Sequence, residues 1–243
     1  MSAGGDRWRQ QTLALFRDAG ASFDSFEPAD NREALAATRA WAAGEGPWCL
    51  FVWGAAGVGK SHLLQAAVRE ITERGARAMY LPLFELRSYG TDALDGLDAL
   101  DALALDDVDA LLGERRWEER LFTLYNRVQA AGGRLIFSAP VAPRELGCGL
   151  PDLQSRLSAA LVFHLAPLDD DARCAALVHA AAGRGIALPE AVAVYLLRRL
   201  PRDLTALNAV LDTLDAASLS AGRPLTIPFV REVLGSDDDD TAS

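Results

Sequence analysis

The segment Gly54-Ala55-Ala56-Gly57-Val58-Gly59-Lys60-Ser61 sets three glycines, a lysine and a hydroxyl at the spacing GxxxxGK[ST]. Glycines let a backbone wrap closely and turn its N–H groups toward one anion. Lys60 brings a charge suited to β- and γ-phosphates, and Ser61 a hydroxyl suited to Mg²⁺. The chemistry these residues predict is binding of a nucleotide's phosphates. Gly54, Gly57, Val58, Gly59, Lys60, Ser61 and the adjoining His62 are the candidate cofactor-binding residues. For His62, local packing or capping is the other reading. A second group lies further on, where the apolar run Leu103-Ala104-Leu105 ends in Asp106-Asp107. A strand ending in acids suits a Walker B element, with Asp106 and Ser61 as metal ligands and Asp107 orienting a water. A solvated acidic turn is the alternative in a chain so rich in aspartate.

Such groups need elements to hold them. Residues 48–53, WCLFVW, are apolar without alternation, the pattern of a strand buried on both faces. A helix is predicted over 60–73, so the glycine loop lies between strand and helix, and the helix adds its positive end. Residues 32–43 have helical spacing. Further strands are predicted at 77–83, over LALDD with its terminal carboxylates, at 134–138 and at 161–165, with a long helix over 115–131. The run Leu94 to Leu105 reads as an amphipathic helix leading into the carboxylate strand. Alternating strands and helices predict an α/β fold with a parallel sheet. After Pro167 only helical segments follow, near 169–183, 189–199, 202–219 and 228–234. The expected layout is an arm at 1–22, an α/β nucleotide-binding domain at 23–167, a small helical domain at 168–235 and an acidic tail at 236–243.

Composition bounds the partners. The chain has 243 residues, 24 basic against 34 acidic, for a formal net charge of -10. That counts against a broad electrostatic face for DNA. No apolar run approaches the roughly 18–20 residues needed to span a bilayer. The N-terminus lacks the apolar core of a secretory signal. Cys49, Cys148 and Cys174 are odd in number and widely spaced, which fits a reducing cytoplasm better than a disulfide framework. His164 and His179 lack partners at metal-ligand spacing.

The stretches FDSF, GKSHLL, WEERLFTLYNRV, GLPDLQSRL, LDDDAR and RPLTIPFVREVL carry a family resemblance. The sequence resembles the AAA+ ATPases of the bacterial DnaA group, and within it the Hda-type regulatory inactivators, from about residue 10 to 234. The resemblance implies a P-loop NTPase domain with a helical lid, holding ADP or ATP with Mg²⁺. It implies that Arg156 is an arginine finger acting in trans on a neighbour's nucleotide. It puts Arg202 at the sensor 2 position, and Phe23, Phe26 and Asn31 around the adenine, where aromatics would serve a core equally well. Pro140 stands where the family's sensor 1 segment has a polar or acidic residue. Proline offers no donor and no side-chain acceptor. Intrinsic ATPase activity is therefore expected to be weak at most, with Ser138 as the available substitute.

Gln10-Gln11-Thr12-Leu13-Ala14-Leu15 resembles the hexapeptide by which such proteins dock on the DNA polymerase sliding clamp. Gln10, Leu13 and Leu15 would enter an apolar groove with a polar rim. An amphipathic helical start is the alternative reading. The implied function is negative regulation of replication initiation. The implied partners are the DnaA initiator and the clamp, with DNA reached only through the clamp. The resemblance allows a homodimer. The initiator carries a helix-turn-helix domain after its lid, and this sequence ends at Ser243, so origin recognition is not expected of it. An autonomous AAA+ ATPase, such as a helicase loader or remodeller, and a nucleotide-stabilised adaptor are the competing functions.

Overall fold

A computed structural model of the chain describes residues 21–183, 185–199 and 204–235, without the side chains of 204–209. The described residues form two compact units. One comprises Pro28–Pro167 with the segment up to Asp24. The other starts at Leu168 and includes Ser25–Glu27.

The first unit is built on a five-stranded sheet: β1 (Cys49–Trp53), β2 (Ala78–Pro82), β3 (Ala102–Asp106), β4 (Arg134–Ala139) and β5 (Leu161–His164). Their spatial order is β2-β3-β4-β1-β5, and every pairing is parallel. The unalternating apolar runs have a physical cause here. β1, β3 and β4 are interior strands and bury both faces, whereas the edge strand β5 leaves Leu161 and Val162 exposed.

Helices α1 (Arg32–Ala42), α2 (Lys60–Glu73), α3 (Leu83–Leu86), α4 (Arg115–Ala130) and α5 (Pro151–Ser158) flank this sheet. On α4, Trp117, Leu121, Leu124, Tyr125 and Val128 recur at helical spacing and form one buried stripe. The stripe packs in one core with Phe51, Leu103, Leu105, Phe137, Leu153 and Leu157. Arg156 rides on α5, a helix the sequence reading did not pick out.

The expected helix from Leu94 to Leu105 is absent. Two single-turn 3-10 helices, Thr91–Leu94 and Leu97–Ala99, stand there, and β3 starts at Ala102. Gly96 separates the turns with a left-handed φ of 74°. A continuous helix would break at that residue. Leu94 and Leu97 still reach the core from the two turns. The strand expected to run to residue 83 ends one residue earlier, and Leu83 begins α3.

The second unit holds α6 (Asp170–Gly183), α7 (Glu190–Arg199), α8 (Leu204–Ala221) and α9 (Ile227–Leu234) around Leu177, Ala193, Leu196, Leu211, Leu214, Phe229 and Val230. Thr226 caps α9 by accepting the Phe229 N–H at 3.4 Å, and Pro228 sits in its first turn. Cys49, Cys148 and Cys174 are free thiols, and burial pushes Cys49 up to about 12. No helix among the described residues is long and apolar enough to cross a membrane.

Candidate functional site

The glycine loop Gly54 to Ser61 leaves an interior strand of the sheet. β1 ends at Trp53, and the Gly54 N–H donates to Ala139 O at 3.2 Å, so the loop's first residue stays pinned to β4. A Cβ at Gly54 would lie 2.5 Å from Leu165 O, closer than any side chain tolerates. Gly57 turns the loop with φ 75°. Gly59 caps α2 with φ 98°, again left-handed. Val58 is buried beneath the loop. The first N–H groups of α2 lack carbonyl partners within the helix, as at any helix start.

Lys60 is buried, and its ammonium donates to Gly54 O at 2.8 Å and Ala55 O at 3.0 Å. The loop thus gathers a cation, helix-end donors and room where a side chain would intrude. This is the donor set a polyphosphate needs. Ser61 is exposed at the start of α2. The His62 Nε2 lies 2.9 Å from Ser22 O. A carbonyl only accepts, so Nε2 carries the proton and the ring tethers the segment before Asp24.

The carboxylate pair stands at the end of β3. Asp106 is 1% exposed and each of its oxygens accepts a hydroxyl. Oδ1 takes Ser138 Oγ–H from β4, and Oδ2 takes Tyr80 O–H from β2 at 2.5 Å. Ser138 Oγ in turn accepts the Asp107 N–H at 2.9 Å. Burial, and then the Asp106 carboxylate beside it, raise the Tyr80 phenol's pKa, so it stays the donor in that bond. Sequence reading missed Tyr80. Its only signal was a phenol in an otherwise apolar strand beside LALDD.

Asp107 has a left-handed backbone, φ 56° and ψ 56°. Its carboxyl is raised to about 6, first by desolvation, then by the charges of Asp106 and Asp109, with Lys60 opposing. Among the described residues, no group of three or more His, Cys, Asp or Glu is arranged to hold a metal. Ser61 and Asp106 offer hard oxygens, and Mg²⁺ takes few protein ligands beside phosphate and water, so the pair fits that ion.

Pro140 is exposed just past β4. The polar group at the end of that strand is Ser138, fully buried against Asp106. Asn31 is buried, donates to Ala166 O at 3.1 Å and accepts the Ala166 N–H at 2.7 Å. Its amide is a latch on the chain leaving β5. Phe23 is buried beneath the Arg39 guanidinium, which sits 5.0 Å from the ring centroid. Phe26 is buried and belongs to the second unit's segment Ser25–Glu27.

Arg156 is exposed on α5. Its guanidinium carbon lies 5.9 Å from the Tyr125 ring centroid, and Tyr125 O–H donates to the Arg156 carbonyl at 3.4 Å. Burial raises the Tyr125 phenol's pKa, so it stays a donor. Among the described residues, no carboxylate pairs with Arg156. Gln10, Leu13, Leu15 and Arg202 lie outside the described residues.

The family model for the bacterial DnaA ATPase domain matches residues 18–164, and that for the Hda lid domain matches residues 170–234. Among solved structures, domain III of the Thermotoga maritima replication initiation protein DnaA is 24% identical, with a TM-score of 0.73 over 88% of this chain and 95% of that one. AMPPCP-bound DnaA from Aquifex aeolicus is 22% identical, with a TM-score of 0.63 over 82% and 66%. A DnaA bound to AMPPCP and single-stranded DNA is 21% identical, with a TM-score of 0.66 over 85% and 68%. At these identities the structural likeness is one of fold.

Proposed function

The chain belongs to the bacterial DnaA ATPase-domain family and carries an Hda-type lid, and from that premise we propose that it is a nucleotide-bound negative regulator of replication initiation. One observation carries the reading. The same α/β unit holds a complete phosphate loop and presents an exposed arginine, Arg156, that no carboxylate neutralises among the described residues.

Gly54, Gly57, Val58, Gly59 and the start of α2 would hold the phosphates of ADP or ATP, with Lys60 released from the loop carbonyls to meet them. The AMPPCP-bound relatives support an adenine nucleotide. Ser61 and Asp106 would hold Mg²⁺, which would supply neutralisation of the phosphate charge. Arg202 would read the phosphates from the lid, with Phe26 and Asn31 bordering the base. Asp107 would orient a water, while Pro140 offers nothing to help it, so intrinsic turnover is weak.

Arg156 acts on another molecule's nucleotide. A guanidinium there stabilises charge spreading over the transferring phosphoryl group, an effect of about 10³–10⁵ in rate in known systems. The neighbour is the DnaA initiator. Tyr125 braces the arginine from below, so less side-chain freedom is lost when it engages. The segment Gln10 to Leu15 docks on the sliding clamp in the cytoplasm, which concentrates the protein where replication has started.

The test is the decay of ATP bound to purified initiator, with this protein present, with and without DNA-loaded clamp. Clamp-dependent acceleration that disappears when Gln10, Leu13 and Leu15 are changed together to Ala supports the reading. Decay at the unassisted rate under both conditions overturns it.

A further inference from the structure

The loop that leaves the carboxylate pair and the loop that enters α5 meet at one buried side chain. Asp107 is followed by the 3-10 helix Val108–Leu111 and then by Gly113. Gly149 lies just ahead of Pro151, the first residue of α5. Glu118, in the first turn of α4, is 1% exposed. Its Oε1 accepts the Gly113 N–H at 2.9 Å and the Gly149 N–H at 2.8 Å. Glu118 has no reason in hydropathy to be buried, and its position is stabilised by these donors.

We propose that Glu118 is a positioning residue that couples this chain's own nucleotide site to the arginine it presents. The proposal rests on the reading of Arg156 above. At one end, the Asp107 N–H is held by Ser138, whose hydroxyl binds Asp106, so movement of the carboxylates moves the backbone that leads to Gly113. At the other end, Gly149 sets the start of α5. Leu153 and Leu157 anchor that helix in the core, and Arg156 is carried on its outer face. The two loops do not otherwise share a side-chain acceptor among the hydrogen bonds of the described residues. One oxygen taking both N–H groups makes their positions interdependent, which is the physical content of a coupling.

Hydrogen exchange of the full chain, with and without ADP and Mg²⁺, tests this without the initiator. In the wild type, ADP slows exchange over residues 54–66 and also over 149–158. In Glu118→Ala, ADP still slows 54–66, but exchange over 149–158 no longer responds. Stimulation of initiator-bound ATP hydrolysis falls about tenfold, within the usual range of coupling between sites. Glu118→Gln keeps an acceptor at Oε1 and restores both responses. Gly149→Ala is the second variant, since its Cβ would lie 3.2 Å from Glu118 Oε2, so the loop or the carboxylate must give by a few tenths of an ångström at this contact. It decides the matter should Glu118→Ala not fold, by losing the ADP response over 149–158 or, against the proposal, keeping it.

A wild-type chain with no response over 149–158, or a response that survives Glu118→Ala, overturns the proposal. Arg156→Ala is assayed in parallel. Undiminished stimulation by that variant defeats the reading of the arginine, while the exchange result still judges Glu118.

Discussion

Ser138→Ala should be the costliest small substitution at the carboxylate pair. Ser138 is fully buried, donates to Asp106 and accepts the Asp107 N–H. Alanine removes both bonds and adds nothing. A hydrogen bond to a charged group contributes about 1.5–3 kcal/mol, and a buried donor left without a partner costs about 1–3 kcal/mol. The two overlap, because Asp106 keeps its bond from Tyr80, so the expected loss is about 3 kcal/mol. At about 2–4 °C per kcal/mol for a chain of this size, the melting temperature falls by about 6–12 °C. Urea unfolding followed by tryptophan fluorescence reads the right unit, since Trp41, Trp48, Trp53 and Trp117 all lie in the α/β unit. Tyr80→Phe removes one bond and should cost about half as much. The double variant should lose more than the sum, because Asp106 then has neither hydroxyl. A loss below about 0.5 kcal/mol for Ser138→Ala, the level of an ordinary surface change, would refute this account of the strand ends.

Three other outcomes follow from the geometry. Asp107 has its folded-state pKa raised from 3.8 to about 6, so its proton-linked stability is complete below pH 4 and lost as pH rises through 6. Asp107→Asn should therefore raise the melting temperature at pH 7.5 and leave it nearly unchanged at pH 4; an equal gain at both pH values would contradict the burial and the Asp106 and Asp109 charges as causes. Gly54→Ala places a Cβ 2.5 Å from Leu165 O, so either the loop or the chain leaving β5 must shift. Equilibrium binding of a fluorescent ADP analogue should weaken by more than about tenfold, an effect of at least ~1.4 kcal/mol, and unchanged affinity would show that the loop tolerates the movement. Pro140→Asp should raise steady-state ATP turnover of the isolated protein above the wild-type rate, and no increase would mean that the residue after β4 is not what limits hydrolysis.

What could be read in advance follows from sequence separation. Gly54 to Ser61 are contiguous, and the strand and helix around them announce themselves by an apolar run and a helical spacing. The whole loop was therefore legible. Ser138, Tyr80 and Asp106 are not neighbours in the chain. They meet because the strand order is β2-β3-β4, which follows from packing of the whole sheet and not from any local pattern. The Asn31 latch joins residues 135 apart, so nothing local announced its bonds to Ala166, and the resemblance placed it only beside the adenine. Glu118 was not singled out, because nothing local says that Gly113 and Gly149 converge on it. The Leu94 to Leu105 misreading has a different cause. The alternation of leucine with aspartate and alanine suggested an amphipathic helix, and a single left-handed glycine decided against it.

The central claim is that this chain lends a guanidinium to another molecule's nucleotide. Its most direct measurement is single-turnover hydrolysis of initiator-bound ATP with saturating clamp, comparing wild type, Arg156→Ala and Arg156→Lys, with nucleotide binding to this chain measured alongside. The account predicts that Arg156→Ala abolishes stimulation, that Arg156→Lys recovers little because a point charge lacks the planar fork, and that both bind ADP within about twofold of wild type, since binding equilibria resolve ~0.4 kcal/mol. Stimulation by Arg156→Ala at the wild-type rate would contradict it.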